Sequence, residues 1–432
     1  VATPTLPKQP LAVFARFPEL ERPRLNQDAT ALAARIRSGD EQVLTIIPLD
    51  RPNAKPEVIA RDGEFDKLND LRTTNWQWVD PDNLLIWLTA TTDLDGERVD
   101  ATRVIAYNRK TRKRTLLGWE GTFLRGSEVL WVSRDGPPRI LLARLAAGRG
   151  TERLGNPEVV EIDVTTGKQT IVIRPHRSVT SWYADGAGNV RLGLSSDADT
   201  GRITALYRPD GNGPFRTIIR ERQERYARLP IPQIFLPGER ALTISRHEGT
   251  DAVYELDLKT MEIGRKIFGD PQYDIDGISA NLTGDALERI SITRDRPEAI
   301  WKDPRMADIQ LVLDETFGRG VATIVSTDRP RQNILFYVGH PDQRGAFYMF
   351  NTESGSTRFV GWVNSTLKDA RMNPVRTIRY KARDGKEIPA VLTLPRLRPA
   401  RNLPLIVLPH GGPWARDAEG WDFWAQPLAE LG

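Results

Sequence analysis

A histidine followed by two glycines, directly after an apolar run, is the part of this sequence best suited to chemistry. His410, Gly411 and Gly412 follow Leu403–Leu408, an uncharged stretch that predicts a buried β-strand. Glycines let backbone N–H groups approach a developing negative charge, and an imidazole N–H can donate to the same charge. The pattern predicts an oxyanion-binding turn, with His410 as oxyanion stabiliser and with substrate contacts from Gly411, Gly412 and Trp414.

Such a turn is typical of the α/β-hydrolase fold, where it serves a serine on a Gly-x-Ser-x-Gly turn and the triad histidine follows that serine. No Gly-x-Ser-x-Gly occurs in the 432 residues, so His410 is not expected to be the triad base. After the turn, Phe423, Trp424, Leu428 and Leu431 have the spacing of an apolar helix face. We therefore expect a chain that is truncated inside this domain and inactive as given.

Composition excludes several other classes of function. Lys and Arg number 61 against 57 Asp and Glu, a net charge of +4, which argues against a nucleic-acid-binding surface. No apolar run reaches membrane-spanning length, so no membrane partner is expected. The absence of Cys excludes disulfides, thiolate metal sites and a cysteine nucleophile. It favours a periplasmic or secreted location over the cytoplasm, and a signal peptide before Val1 stays open.

No metal or cofactor is expected from the motifs. The sequence has no His-Glu-x-x-His, no phosphate-binding glycine loop and no dinucleotide fingerprint. Two Asp-rich turns that begin near Thr91 and Gln272 lack the first and twelfth ligands of a calcium loop. His176, His247 and His340 are interpreted as surface or packing residues.

The region between residues 21 and 367 carries a repeated turn pattern. Short runs rich in Val, Ile, Thr, Trp and Tyr alternate with Asp, Asn, Gly and Pro, which predicts strands and turns. Seven marker residues, each closing a strand before a polar turn, recur every 45 to 58 residues: Asp50, Asn108, Asp163, Arg208, Asp257, Asp303 and Asn351. Four short strands with turns need about 40 to 50 residues, which is one blade of a β-propeller.

The predicted fold is therefore mainly β, a seven-bladed β-propeller followed by the beginning of an α/β-hydrolase domain. The alternative is a pair of β-sandwiches with accidental spacing. Residues 1–20 are predicted to form a segment with a short helix at Leu11–Leu20 that packs on the hydrolase domain. Residues 21–367 form the propeller and 368–432 the hydrolase start, in which Asp384-Gly385 joins two strand-like runs as a hairpin turn.

The segment Tyr380–Ala390, followed by Leu403–Asp417 with its His-Gly-Gly turn, resembles the prolyl oligopeptidase family of serine peptidases. The specific similarity extends to Leu431, and the closest branch is the bacterial group akin to acylaminoacyl peptidases and dipeptidyl aminopeptidases. The resemblance implies an open propeller ring, with no strand shared between the first and last blades. It also implies that the strands pairing with Leu403–Leu408 come later in the chain.

The function implied by this resemblance is proteolysis of short peptides by a serine peptidase. The propeller would control access to a Ser-Asp-His site beyond residue 432, and a peptide would be the substrate partner. Two alternatives stay open: a non-catalytic propeller that binds a partner, and an esterase or amidase of the same architecture. Residue preference, exo- or endo-action and oligomeric state are left undetermined.

Overall fold

Seven antiparallel sheets follow one another along the chain in this computed structural model, which describes residues 7–51, 53–63, 71–94, 96–146, 155–196, 201–222, 229–412 and 415–432. In each sheet the strands lie side by side in chain order, so every sheet is a meander. The predicted seven-bladed β-propeller is thereby confirmed, and the pair of sandwiches is excluded.

The first four blades contain four strands each. They are β1 (Leu20–Leu25), β2 (Ala31–Ser38), β3 (Glu41–Pro48) and β4 (Glu57–Arg61) in blade 1; β5 (Arg72–Trp78), β6 (Asn83–Leu94), β7 (Glu97–Asn108) and β8 (Lys113–Leu117) in blade 2; β9 (Glu128–Val132), β10 (Arg139–Arg144), β11 (Glu158–Asp163) and β12 (Gln169–Ile173) in blade 3; and β13 (Ser181–Ala184), β14 (Val190–Ser196), β15 (Arg202–Tyr207) and β16 (Arg216–Arg222) in blade 4.

The remaining blades are less uniform. They are β17 (Ile234–Phe235), β18 (Arg240–Ser245), β19 (Ala252–Asp257) and β20 (Ile263–Phe268) in blade 5; β21 (Ile275–Ala280), β22 (Leu287–Thr293) and β23 (Pro297–Trp301) in blade 6; and β24 (Ala322–Thr327), β25 (Asn333–His340), β26 (Gln343–Asn351) and β27 (Thr357–Trp362) in blade 7. A 3₁₀ helix, Ser365–Leu367, and the hairpin β28 (Val375–Lys381) with β29 (Glu387–Thr393) follow.

The marker residues occupy the same place in all seven blades, at or just after the end of the third strand. In Asn108, Asp163, Asp257 and Asn351 the side-chain oxygen accepts a hydrogen bond from the backbone N–H three residues later. A short side-chain acceptor therefore starts the turn to the fourth strand, which explains the recurrence of Asp and Asn. Arg208 and Asp50 share the position without this bond.

Blade 6 differs because a helix stands where its fourth strand would be. Helix α2 (Pro304–Phe317) begins after Asp303, whose carboxylate accepts from Met306 N at 2.9 Å. Its buried residues Met306, Ile309 and Leu313 pack against blade 7. The composition of this region predicted only strands and turns, so this helix was not predicted, although Asp-Pro at a helix start is a recognised cap.

The core lies between blades, because each pair of neighbouring sheets encloses one apolar cluster. Among the described residues seven such clusters join the ring, including one that packs Leu32 of blade 1 against Leu335 of blade 7. Blades 1 and 7 meet through packing and through Leu25 N donating to Ser326 Oγ at 3.1 Å. No sheet of the described residues takes strands from both blades, as expected for an open ring.

The chain ends pack together beside blade 7. The N-terminal helix α1 is shorter than predicted, Leu11–Phe14, because Pro18 restricts Phe17 and the chain then enters β1. Phe14 stacks on Trp421 with ring centroids 6.3 Å apart. The last element is helix α3 (Ala425–Leu431). Within the described ranges, no helix has the length and apolar character needed to cross a membrane.

Candidate functional site

His410 lies on an exposed turn with a single close polar neighbour of its ring among the described residues. Its Nδ1 is 2.8 Å from the carbonyl oxygen of Gly411. A carbonyl oxygen only accepts, so Nδ1 carries the proton in this contact and the Nε2 of a neutral ring is left as an acceptor. Gly412 has φ 146°, which suits glycine. Trp414, the third predicted substrate contact, lies outside the described residues.

The apolar run before the turn is not a buried strand in this structure, which corrects the prediction. Residues 403–408 form no strand, and the side chains of Leu405, Ile406, Val407 and Leu408 are 81%, 57%, 72% and 52% exposed. A strand is buried only when neighbouring strands and helices cover it, and within the described ranges β28 and β29 pair only with each other. The resemblance places the partner strands of this segment later in the chain, and the segment is exposed without them.

Helix α3 is present, but its buried face is not the predicted one. Phe423 and Trp424 precede the helix and are 61% and 62% exposed, and Leu431 is also exposed. Gln426 and Glu430, four residues apart, are the buried side chains instead. The apolar spacing therefore correctly predicted a helix. It did not predict which side chains of that helix are buried in this chain.

A buried polar cluster holds α3 against the residues around β28 and β29. Glu430 accepts from Arg396 Nη2 at 2.6 Å and from Arg396 Nε at 3.0 Å, and its side chain is fully buried. Asn373 accepts from Arg396 N at 3.0 Å and donates to the backbone of Gln426 at 3.0 Å. The backbone N–H of Gln9 donates to Glu430 at 2.8 Å, so the cluster also holds the N-terminal segment.

This cluster was not predicted from the sequence. Its residues lie in four separate parts of the chain, and none forms a recognisable motif. The only local signal was Gln426 and Glu430 at helical spacing, a pair that would ordinarily face solvent.

A second set of contacts attaches the turn region to blade 6. Glu419 accepts from Arg296 Nε at 2.8 Å and from Thr377 N at 2.6 Å. Burial alone would raise the pKa of Glu419, but these hydrogen bonds and the charge of Arg296 outweigh it and hold the pKa below its usual value.

Two arginines complete this contact. Arg416 donates to the carbonyl oxygen of Thr293 and its guanidinium lies 5.0 Å from the ring centre of Tyr273. Arg379 donates to Tyr273 Oη at 3.0 Å and to Asp295 at 3.3 Å. The His-Gly-Gly turn is therefore held beside the end of blade 6 where β21 begins and β22 turns into β23.

The other histidines form no catalytic arrangement with described residues. His176 Nδ1 accepts from Ser178 N at 3.2 Å, and His247 packs edge-on against Tyr254. Burial, followed by the charge of Arg371, lowers the pKa of His340. The described residues contain no group of three or more His, Asp or Glu arranged to hold a metal ion.

Comparison with models of known protein families gives no match. Over 296 residues the chain is 23% identical to dipeptidyl aminopeptidase BIII from Pseudoxanthomonas mexicana, an alignment that covers 64% of this chain and 40% of that protein. The chain thus spans less than half the length of this curated relative.

Solved structures share the fold at low sequence identity. A puromycin-hydrolysing peptidase of Mycobacterium tuberculosis superposes with a TM-score of 0.55 at 14% identity, covering 96% of this chain and 65% of that one. Prolyl oligopeptidase B of Galerina marginata gives 0.56 at 11% identity, covering 89% and 56%. In sequence and in fold, this chain therefore resembles the peptidases of the prolyl oligopeptidase family.

Proposed function

We propose that this chain is the N-terminal part of a serine peptidase that cleaves short peptides. The observation that carries the proposal is the position of the His-Gly-Gly turn. It follows an apolar segment that could become a strand, and it is attached to one end of a seven-bladed propeller through Arg416, Glu419 and Arg379. The peptidase relatives and the shared fold support the same function.

In this proposal the propeller restricts access to a Ser-Asp-His site formed by residues beyond 432. Peptides or loose segments reach the site, whereas folded proteins do not. The turn supplies His410 as a donor to the oxyanion of the tetrahedral intermediate, and the backbone N–H beside the nucleophile, beyond residue 432, supplies a second donor. The segment Leu405–Leu408, now exposed, becomes an internal strand once later strands pair with it.

The test is to express the chain with and without the continuation of its reading frame. We expect the longer protein to hydrolyse aminoacyl- or N-acyl-aminoacyl-anilides and residues 1–432 alone to be inactive, because a triad needs all its members together. Faster turnover of simple esters than of anilides would favour an esterase. A continuation without a Gly-x-Ser-x-Gly would leave a non-catalytic propeller and contradict the proposal.

A further inference from the structure

A pocket of about 380 Å³ opens at the end of the propeller that faces away from the His-Gly-Gly turn. It lies where β1, β5 and β24, the first strands of their blades, end beside the central channel. Its walls include Arg24, Gln27, Gln77, Trp78, Leu282 and Arg329. The turn region contacts the opposite end of blade 6, at Tyr273 and Thr293, so the two sites are separated by the length of the blades.

One arginine of the pocket wall, Arg24, has two further arginines within electrostatic range. Arg24 donates from Nη1 to the carbonyl oxygen of Val325 at 2.6 Å and lies within electrostatic range of Arg22 and Arg289. Arg22 donates to Thr74 O at 2.9 Å and to Asn75 Oδ1 at 2.8 Å. Within the part of the chain that the structure describes, no carboxylate forms an ion pair with any of the three.

Arg24 is partly buried beside two like charges. Burial first, and then the charges of Arg22 and Arg289, lower the pKa of Arg24. Among the described residues, Arg289 Nε is buried without a hydrogen-bond partner, as is Nε1 of Trp76, a pocket residue that is 3% exposed. Arg22 also has φ 49°, a backbone conformation that is strained for a residue with a side chain. Backbone strain clusters at functional and ligand-binding sites, and a buried donor without a partner calls for an explanation such as a ligand.

The other arginine of the pocket wall, Arg329, has a carboxylate partner. Arg329 is paired with Asp135 at 2.6 Å, so Arg24 is the cation that stays available to a ligand. An arginine binds a carboxylate through two parallel N–H donors. The aromatic surface of Trp78 and the amides of Gln27, Asn75 and Gln77 add the apolar and hydrogen-bonding surface that a peptide backbone requires.

We propose that this pocket binds the C-terminal carboxylate of a short peptide, with Arg24 as the carboxylate-binding side chain. The volume is near the lower end for small-molecule sites and fits a few residues of extended chain. The choice of a peptide as ligand rests on the proposed function, whereas the choice of a carboxylate rests on the arginines.

The test is calorimetric titration of residues 1–432 with trialanine, trialanine amide and inorganic phosphate. We expect trialanine to bind and its amide to bind at least about tenfold more weakly, since a hydrogen bond to a charged group is lost. Arg24→Gln should weaken trialanine binding by about tenfold or more. Gln77→Glu, at an exposed pocket position with no packing role, should do the same through charge repulsion.

Arg319→Gln is the matched control, because Arg319 is 86% exposed in the loop between α2 and β24 and is not part of the pocket wall. It should leave trialanine binding unchanged, and melting curves establish that each variant is folded. Equal binding of trialanine and its amide, or undiminished binding in both pocket variants, overturns the proposal. Binding of phosphate without trialanine also overturns it. The titration requires no turnover, so its failure is distinct from failure of the peptidase assay.

Discussion

Arg329 of blade 7 donates from Nη2 to Oδ1 of Asp135 in blade 3 at 2.6 Å, across the central channel. The same guanidinium donates from Nη1 to the carbonyl oxygen of Arg134 at 2.5 Å. Blades 4 and 6 also approach each other, since a Cβ on Gly186 would lie 2.5 Å from the carbonyl oxygen of Thr283. Turns of four blades that are not all neighbours therefore meet at the end of the channel away from the His-Gly-Gly turn.

The first prediction is that Arg329→Ala opens this end of the channel with little loss of stability. The pair is 46% and 81% exposed, so we expect a change below about 1 kcal/mol in the free energy of unfolding. The chain has no cysteine, so Ser326→Cys would place a single thiol in the pocket. Its reaction with a bulky maleimide should become several-fold faster in the Arg329→Ala background.

A small alkylating reagent should react at the same rate in both backgrounds, because it passes the turns in either case. Arg319→Ala provides an exposed arginine control in the loop between α2 and β24. An unchanged rate with the bulky reagent would mean that the turns restrict access without help from Arg329.

The second prediction concerns the buried ion pair of Arg396 and Glu430. Glu430→Gln removes the negative charge that faces Arg396 while both side chains stay buried. Breaking such a pair from one side costs roughly 3–5 kcal/mol. The loss should be local, so hydrogen exchange in α3 and at Gln9 should accelerate while the blades keep their protection.

Asp369→Asn is the control for this substitution. It removes an ion pair with Lys368 that is 3.9 Å long and largely exposed, and it should change exchange in α3 very little. Unaltered protection of α3 in Glu430→Gln would show that packing of Phe14 on Trp421 holds the helix instead.

The third prediction is a loss of stability in acid that depends on Glu419. Its pKa in the folded protein lies below the value of 4.5 for a free glutamate. The ionised form is thus favoured by folding, so its contribution is fully present above pH 4.5 and disappears as the pH falls through the lower, folded pKa. Glu419→Gln should cost about 1–3 kcal/mol at neutral pH and less in acid.

Urea unfolding of the unaltered protein and of Glu419→Gln between pH 7 and pH 3 measures this difference in the free energy of unfolding. The signal should report on the contact of the turn region with blade 6. Asp417→Asn, at an exposed neighbouring carboxylate, is the control. A constant difference between the Glu419→Gln and unaltered proteins across this range would contradict the assigned role of the charge.

How much could be predicted from the sequence differed between the propeller and the site. The propeller repeats because Asn108, Asp163, Asp257 and Asn351 each make the same local hydrogen bond, which a sequence can reveal. Burial of Leu405 or Phe423 depends instead on what covers them, and their apolar character alone does not specify it. The contacts of Glu430 and Arg329 join residues far apart in the chain, and no local pattern indicates them.

The fourth prediction is that Leu405–Leu408 makes residues 1–432 associate. These side chains form an exposed apolar stretch outside any strand, which favours aggregation. Leu405→Glu with Val407→Glu should reduce binding of a hydrophobic dye and shift the chain toward monomer in sedimentation. Leu116→Glu, at a residue of blade 2 that is 54% exposed, is the control and should change neither property much.

The same double substitution should have the opposite consequence in the longer protein. If the segment becomes an internal strand there, two buried carboxylates would prevent folding or cost several kcal/mol. A longer protein that tolerates both substitutions without loss of stability would contradict the burial of this segment.

The last prediction concerns His410 in the longer protein. If its N–H donates to the oxyanion, His410→Ala should lower kcat more than it raises KM, because the charge exists only near the tetrahedral intermediate. Loss of one donor typically costs about 3–4 kcal/mol, or roughly 100- to 1,000-fold in rate. His410→Tyr should retain much of the activity, since a phenol O–H can donate from the same position.

In the present structure Nδ1 of His410 faces Gly411 O instead, so the ring must turn or donate through a protonated Nε2. His176→Ala, which removes an exposed imidazole from the propeller, should leave kcat unchanged. A turn histidine with only a structural role would lower the melting temperature in His410→Ala while turnover per folded molecule stayed near normal, and that result would end the oxyanion interpretation.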